Sequence, residues 1–205
     1  MMNAAYLRHA LATAFRIARF DAAAVTEFDH SFEGFFRSFF ASVLCLPLYA
    51  LIVLGERRLT HDVATTVPGP PFVPLPPPDL AYAAIEAAAY VVNWLALPLA
   101  MIAIVPLLGA SRRYVPFIVA YNWCTCIVFT AMLVPYIAYL LGLASLTGVV
   151  ILYYAVTVFV VSFRWRVARY GLEIPPFTAA GIVILDLLLS VLIAFGTMRV
   201  HRSLG

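Results

Sequence analysis

The apolar stretch ILDLLLSVLIAF near the end of this 205-residue chain holds one carboxylate, Asp186. It lies about nine residues into its run, roughly 13 Å deep at 1.5 Å per residue. A charged side chain at that depth costs about 2.5–3.5 kcal/mol on insertion scales. Asp186 must therefore face other helices and find a partner there. Ser190 follows at i+4 on the same helical face.

Other polar side chains reach a similar depth when the apolar runs are laid antiparallel. They are Asn93, Thr125 and Tyr153 or Tyr154, with Asn122 about one turn nearer one surface. Glu86, Tyr90, Asn93 and Leu97 recur at i, i+4, i+7 and i+11, a mostly polar stripe, with Glu86 near the outer boundary. These residues are expected to meet in one polar cluster inside a bundle. Such a cluster can serve as a proton or solute site. It can equally be interhelical glue, at about 0.6 kcal/mol per hydrogen bond.

No other chemistry presents itself. There is no phosphate-cradling glycine loop, no H-E-x-x-H and no G-x-S-x-G. His9, His30, His61 and His201 are dispersed and expected outside the core, which argues against a haem or copper centre. Cys124 and Cys126 are two apart, about 200° around a helix, and cannot chelate one ion; with Cys45 they read as small buried apolar residues. Neither a metal nor a cofactor is expected, and the chain does not read as an enzyme.

The elements that position these residues follow from composition. Hydrophobic residues make up 64% of the chain and charged residues 11%, with mean hydropathy +0.99. A soluble domain carries about 25% charged residues, so the solvent expected here is lipid. The formal charge of +3 is too small and too scattered for nucleic acid. Apolar runs predict an all-α polytopic bundle of about five transmembrane helices, over residues 35–54, 80–108, 115–141, 146–163 and 177–198. Asp79 is placed to cap the second run, and Pro175 and Pro176 mark the start of the fifth. The short uncharged connection at 142–145 makes the third and fourth spans a helical hairpin.

Between the first two spans, residues 55–79 hold seven of the fourteen prolines and should form an extended or polyproline-like loop outside the hydrocarbon. Residues 1–31 form an amino-terminal unit whose Leu7, Leu11, Phe15 and Ala18 make an apolar stripe. This amphipathic segment is expected either to lie at the interface or to pack on the protein's own loops. Residues 199–205 form a short tail.

All thirteen basic residues are Arg. Nine fall on the amino-terminal side: Arg37 and the membrane-surface set Arg8, Arg16, Arg19, Arg112, Arg113, Arg164, Arg166 and Arg169. Four, namely Arg57, Arg58, Arg199 and Arg202, fall on the other side. The positive-inside rule then puts the amino terminus in the cytoplasm and the carboxy terminus in the periplasm of a bacterial inner membrane.

The apolar hairpin and the aromatic-basic stretch FRWRVARYGLEIP before the last span resemble the Yip1-like five-span membrane proteins. FDHSFEGFFRSFF is similar to the lead-in of the first span of uncharacterised alphaproteobacterial integral membrane proteins. The resemblance covers roughly residues 20–200; the proline-rich loop and the lack of a D-L-Y-G-P-like segment depart from it. It implies membrane organisation, adaptor roles or assembly. The expected function is a non-enzymatic accessory, scaffold or assembly subunit whose partners are the bilayer and other membrane proteins or itself. The alternative is a small oligomeric transporter or channel built on the polar cluster around Asp186.

Overall fold

A computed structural model describes residues 4–66 and 76–204, and among these every regular element is helical. The helices are α1 (Ala4–Ala18), α2 (Phe32–Ser38), α3 (Phe40–Thr66), α4 (Leu80–Leu107), α5 (Tyr114–Leu140), α6 (Leu146–Leu172) and α7 (Pro176–Leu204). Single 3-10 turns occupy Ala22–Glu27 and Ser111–Arg113. Five of the helical stretches are long and apolar enough to cross a membrane. The protein is an all-α polytopic bundle.

The helix ends have local causes. Asp79 caps α4 by accepting from the Tyr82 amide at 2.8 Å, and Ser145 caps α6 through the Gly148 amide at 3.2 Å. Ser31 caps α2, while Asp29 supports that cap by accepting from the Ser31 amide at 3.1 Å. Gly109 and Gly142 follow α4 and α5 with φ of +67° and +68°, the left-handed conformation that ends a helix at least cost. Pro176 opens α7, where its missing N–H is of no consequence.

Helix α5 is the core. It is apolar all round, and Phe117, Ile118, Trp123 and Cys124 are fully buried. Helices α1, α2, α3 and α6 all pack on it, whereas α7 packs on α4 and α6. Where α3 crosses α5, a side chain on Gly55 would come within 2.7 Å of Tyr136 Cβ, so glycine is required by the close approach. Helices α3 and α4 adjoin in sequence but meet only through long side chains, such as Tyr90 donating to the Ser42 carbonyl.

Several boundaries differ from expectation. Helix α3 runs to Thr66 instead of stopping near Leu54, so residues 55–66 are helix and not loop. The segment GERRLTHDVATT lacks proline, and Arg58 pairs with Asp62 at 3.1 Å, an i,i+4 pair that supports helix beyond the apolar run. The polyproline expectation for Pro68, Pro70, Pro71 and Pro74 lies outside the described residues. Helix α6 continues to Leu172, well past 163, because Arg164 and Arg166 turn inward and find surroundings in the protein. From Arg199 to Leu204 the expected tail is helix, the end of α7.

Helix α1 packs on the protein itself. Ala10, Thr13, Ala14 and Ile17 are buried against α5 and α6, and Tyr6 meets the Trp123 ring edge-on at 5.9 Å. The buried face is rotated from the expected stripe: Leu7, Leu11 and Ala18 pack at its edge, partly buried, and Phe15 is exposed. Small alanines let two helices approach closely, which a stripe chosen by hydrophobic size overlooks.

Candidate binding site

The structure divides the expected cluster among separate places. Asp186 is held at the interface of α5, α6 and α7. The Tyr121 hydroxyl donates to its Oδ1 at 2.8 Å, and Arg164 Nε lies 3.7 Å from its Oδ2. The Arg164 guanidinium also lies 4.0 Å over the Tyr121 ring. Side-chain exposures of 11% for Arg164 and 16% for Asp186 place the pair within the bundle. Arg164 sits eight residues before the end of α6, about 12 Å inward, and is no surface residue.

Asn122 is buried elsewhere, donating from Nδ2 to Ser38 Oγ at 2.9 Å and tying α5 to α2. Thr125 is buried and its hydroxyl bonds back to the Tyr121 carbonyl at 2.7 Å, within α5. Tyr154 is 66% exposed and touches Tyr153, so it belongs to no polar cluster. Helix α6 turns Phe163, Val167 and Leu172 inward, which leaves Tyr154 on its outer side.

The remaining polar residues line a cleft of about 680 Å³ bounded by α3, α4, α7 and Pro76. That volume is within the range of small-ligand sites. At its inner end Ser190 Oγ donates to Asn93 Oδ1 at 3.2 Å, joining α7 to α4. Toward the helix ends the lining becomes charged. Glu86 accepts from the Tyr49 hydroxyl at 2.6 Å, and its other oxygen lies 2.9 Å from His201 Nε2. The imidazole stacks on Tyr82 with ring centres 4.5 Å apart. The Arg57 guanidinium lies 4.4 Å from the centre of the same ring and donates to the Pro76 carbonyl at 2.9 Å. Its Nη1 is buried and, among the described residues, has no hydrogen-bond partner. Ile52, Val53, Ala89, Ile193 and Ala194 supply the apolar walls, and Glu56 and Arg202 complete the lining.

Sequence reasoning missed Arg57, Tyr49 and His201 as members of this site. His201 was expected outside the core as part of a free tail. Helical continuation of α7 brings it level with Glu86 on the antiparallel α4, as their 2.9 Å contact shows. Arg57 was counted only toward charge balance. Among the described residues, no three His, Cys, Asp or Glu side chains gather where one metal ion could be held.

The arginines expected at the membrane surface separate into kinds. Arg16 pairs with Asp21 at 2.5 Å and Glu27 at 2.6 Å, and Arg113 pairs with Glu173. Arg166 is buried, with its guanidinium 4.1 Å over the Phe20 ring. Arg169 rests on Trp165 and Tyr170. Arg8, Arg19 and Arg112 are exposed. Beside Arg16, the Asp21 carboxyl is held below its ordinary range; hydrogen bonds with Ser31 do the same for Asp29.

Comparison of the chain with protein-family models, with curated proteins and with solved structures returns no match.

Proposed function

We propose that the chain is a non-enzymatic inner-membrane protein that acts by binding other membrane proteins, as an accessory, scaffold or assembly subunit. One observation carries this reading. Both oxygens of Asp186, the deepest carboxylate, are engaged within the bundle by Tyr121 and Arg164. A carboxylate fixed between a guanidinium and a phenol joins helices and is poorly arranged to pass a proton or an ion. Broad apolar faces of α4, α6 and α7, including Leu99, Ile102, Val158 and Leu192, remain outward for lipid or partner helices. In this reading the amino terminus and α1 are cytoplasmic and the end of α7 is periplasmic, following the arginine count.

The alternative, an oligomeric transporter or channel around Asp186, draws less support from the geometry, because its proposed polar groups are dispersed. Affinity purification of the full chain in mild detergent separates the two. A stoichiometric membrane-protein partner supports the accessory reading. A pure homo-oligomer with ion flux in vesicles that is lost in Asp186→Asn overturns it.

A further inference from the structure

We propose that the cleft between α3, α4 and α7 is a seat for one phospholipid, with its phosphate on Arg57 and an acyl chain between the apolar walls. The inference is independent of the partner reading above.

Three features point to this occupant. The first is the gradient of polarity along the cleft. Charged groups, Arg57, Glu56, Glu86, His201 and Arg202, lie toward the helix ends. Ile52, Val53, Ala89, Ile193 and Ala194 form the walls deeper in. From His201 to Ser190 the lining of α7 spans eleven residues, about 16 Å of helix. That order matches an amphiphile standing with its head at the interface and its chain inward.

The second is the state of Arg57. Its guanidinium lines the cleft and is positioned by Tyr82 and by the Pro76 carbonyl, yet among the described residues the buried Nη1 has no hydrogen-bond partner. An unpaired buried donor of a charged group is costly, and phosphate oxygens are acceptors that match its planar fork. Glu86 is already engaged by Tyr49 and His201, so it does not serve Arg57.

The third is the shape of the enclosure. The lining residues come from α3, α4 and α7 with Pro76, and none from α5 or α6. Helices α3 and α4 meet mainly through long side chains, and in this proposal the gap between them is the lateral way into the cleft. A lipid can enter sideways without leaving the membrane, whereas a water-soluble anion would find these apolar walls of no use.

Glu56 refines the head group. It lines the cleft beside Arg57, and no hydrogen bond or ion pair engages it among the described residues. A carboxylate next to the phosphate site favours a head that carries an amine, so phosphatidylethanolamine should bind better than phosphatidylglycerol.

The test uses the full chain, delipidated in detergent, with each lipid titrated back while thermal unfolding and native mass are followed. Expected is one phosphatidylethanolamine per chain, bound at least tenfold more tightly than phosphatidylglycerol. Arg57→Met should weaken binding at least tenfold. Ala194→Trp, which fills the apolar wall and leaves Arg57 intact, should abolish it. Inorganic phosphate at millimolar concentration should neither stabilise the protein nor compete. Equal lipid retention by wild type and both variants overturns the proposal. Full competition by inorganic phosphate also overturns it, in favour of a free-anion site. Equal affinity for the two lipids overturns the role given to Glu56.

Discussion

Arg164 on α6 and Asp186 on α7 face each other at 3.7 Å, in register across a hairpin whose turn lies between Leu172 and Pro176. Arg164 is eight residues before that turn and Asp186 ten residues after it, so antiparallel packing brings them level. Tyr121 of α5 completes the contact through its ring and its hydroxyl. Three helices are thus joined at one polar point in otherwise apolar surroundings.

Breaking that point from one side should be costlier than removing it. Arg164→Met or Asp186→Leu alone leaves a buried charge without its counter-ion and should destabilise the bundle by about 3–5 kcal/mol. The double variant should recover most of the loss. Thermal unfolding in detergent, followed by size-exclusion monitoring of the surviving fraction, measures the difference. Additive losses would mean that the two groups do not interact.

Cys45 Sγ on α3 and Cys126 Sγ on α5 lie 3.5 Å apart. Iodine, which partitions into the bilayer, should oxidise this pair to an intramolecular disulfide that peptide mass mapping identifies. Cys124 points to the other side of α5 and should remain a free thiol. A Cys45–Cys124 product would displace α5 by most of half a turn.

Gly55 and Gly196 provide a matched pair of substitutions. At Gly55 an added methyl meets Tyr136 at 2.7 Å, whereas at Gly196 nothing lies within 4 Å. Gly55→Ala should destabilise by about 1–3 kcal/mol through overpacking. Gly196→Ala should be neutral or slightly stabilising through helix propensity. The same unfolding assay reads both.

Acid should loosen the amino-terminal unit first. Arg16 lowers the Asp21 carboxyl, and Ser31 lowers that of Asp29. A depressed native pKa contributes stability that is fully present above the ordinary carboxylate value of about 4 and is lost as pH falls through the lowered values. Amide exchange over residues 4–31, corrected for intrinsic rates, should be unchanged from pH 7 to 5 and should accelerate below about pH 4. Asp21→Asn should remove much of that pH response.

The membrane spans were legible because runs of apolar residues long enough to cross a bilayer leave few alternatives. Asp79 as a cap and the Pro175–Pro176 start were legible too, since each is a local effect. The partner of Asp186 was not. Arginine after an apolar run ordinarily marks the aqueous boundary, so Arg164 was assigned to the surface together with Arg166 and Arg169. The signal that could have found it is register: a carboxylate in one span and an arginine equally far from the shared turn. The buried face of α1 was misjudged because Ala10 and Ala14 carry little hydrophobicity, although their small size is what admits α5. The cleft was illegible for a different reason. It depends on α3 and α4 failing to pack closely, and no property of either helix taken singly states that.

The order of helix contacts has a consequence for biogenesis. Helix α3 leaves the ribosome well before α5, the helix it leans on, and α4 precedes its main neighbour α7 by two helices. Until those partners are made, α3 and α4 have mainly their own side-chain contacts, Tyr49 with Glu86 and Tyr90 with Ser42, to hold them together. Chain order then lets α5 gather the helices that precede it before α6 and α7 are added, and only α7 brings His201 beside Glu86.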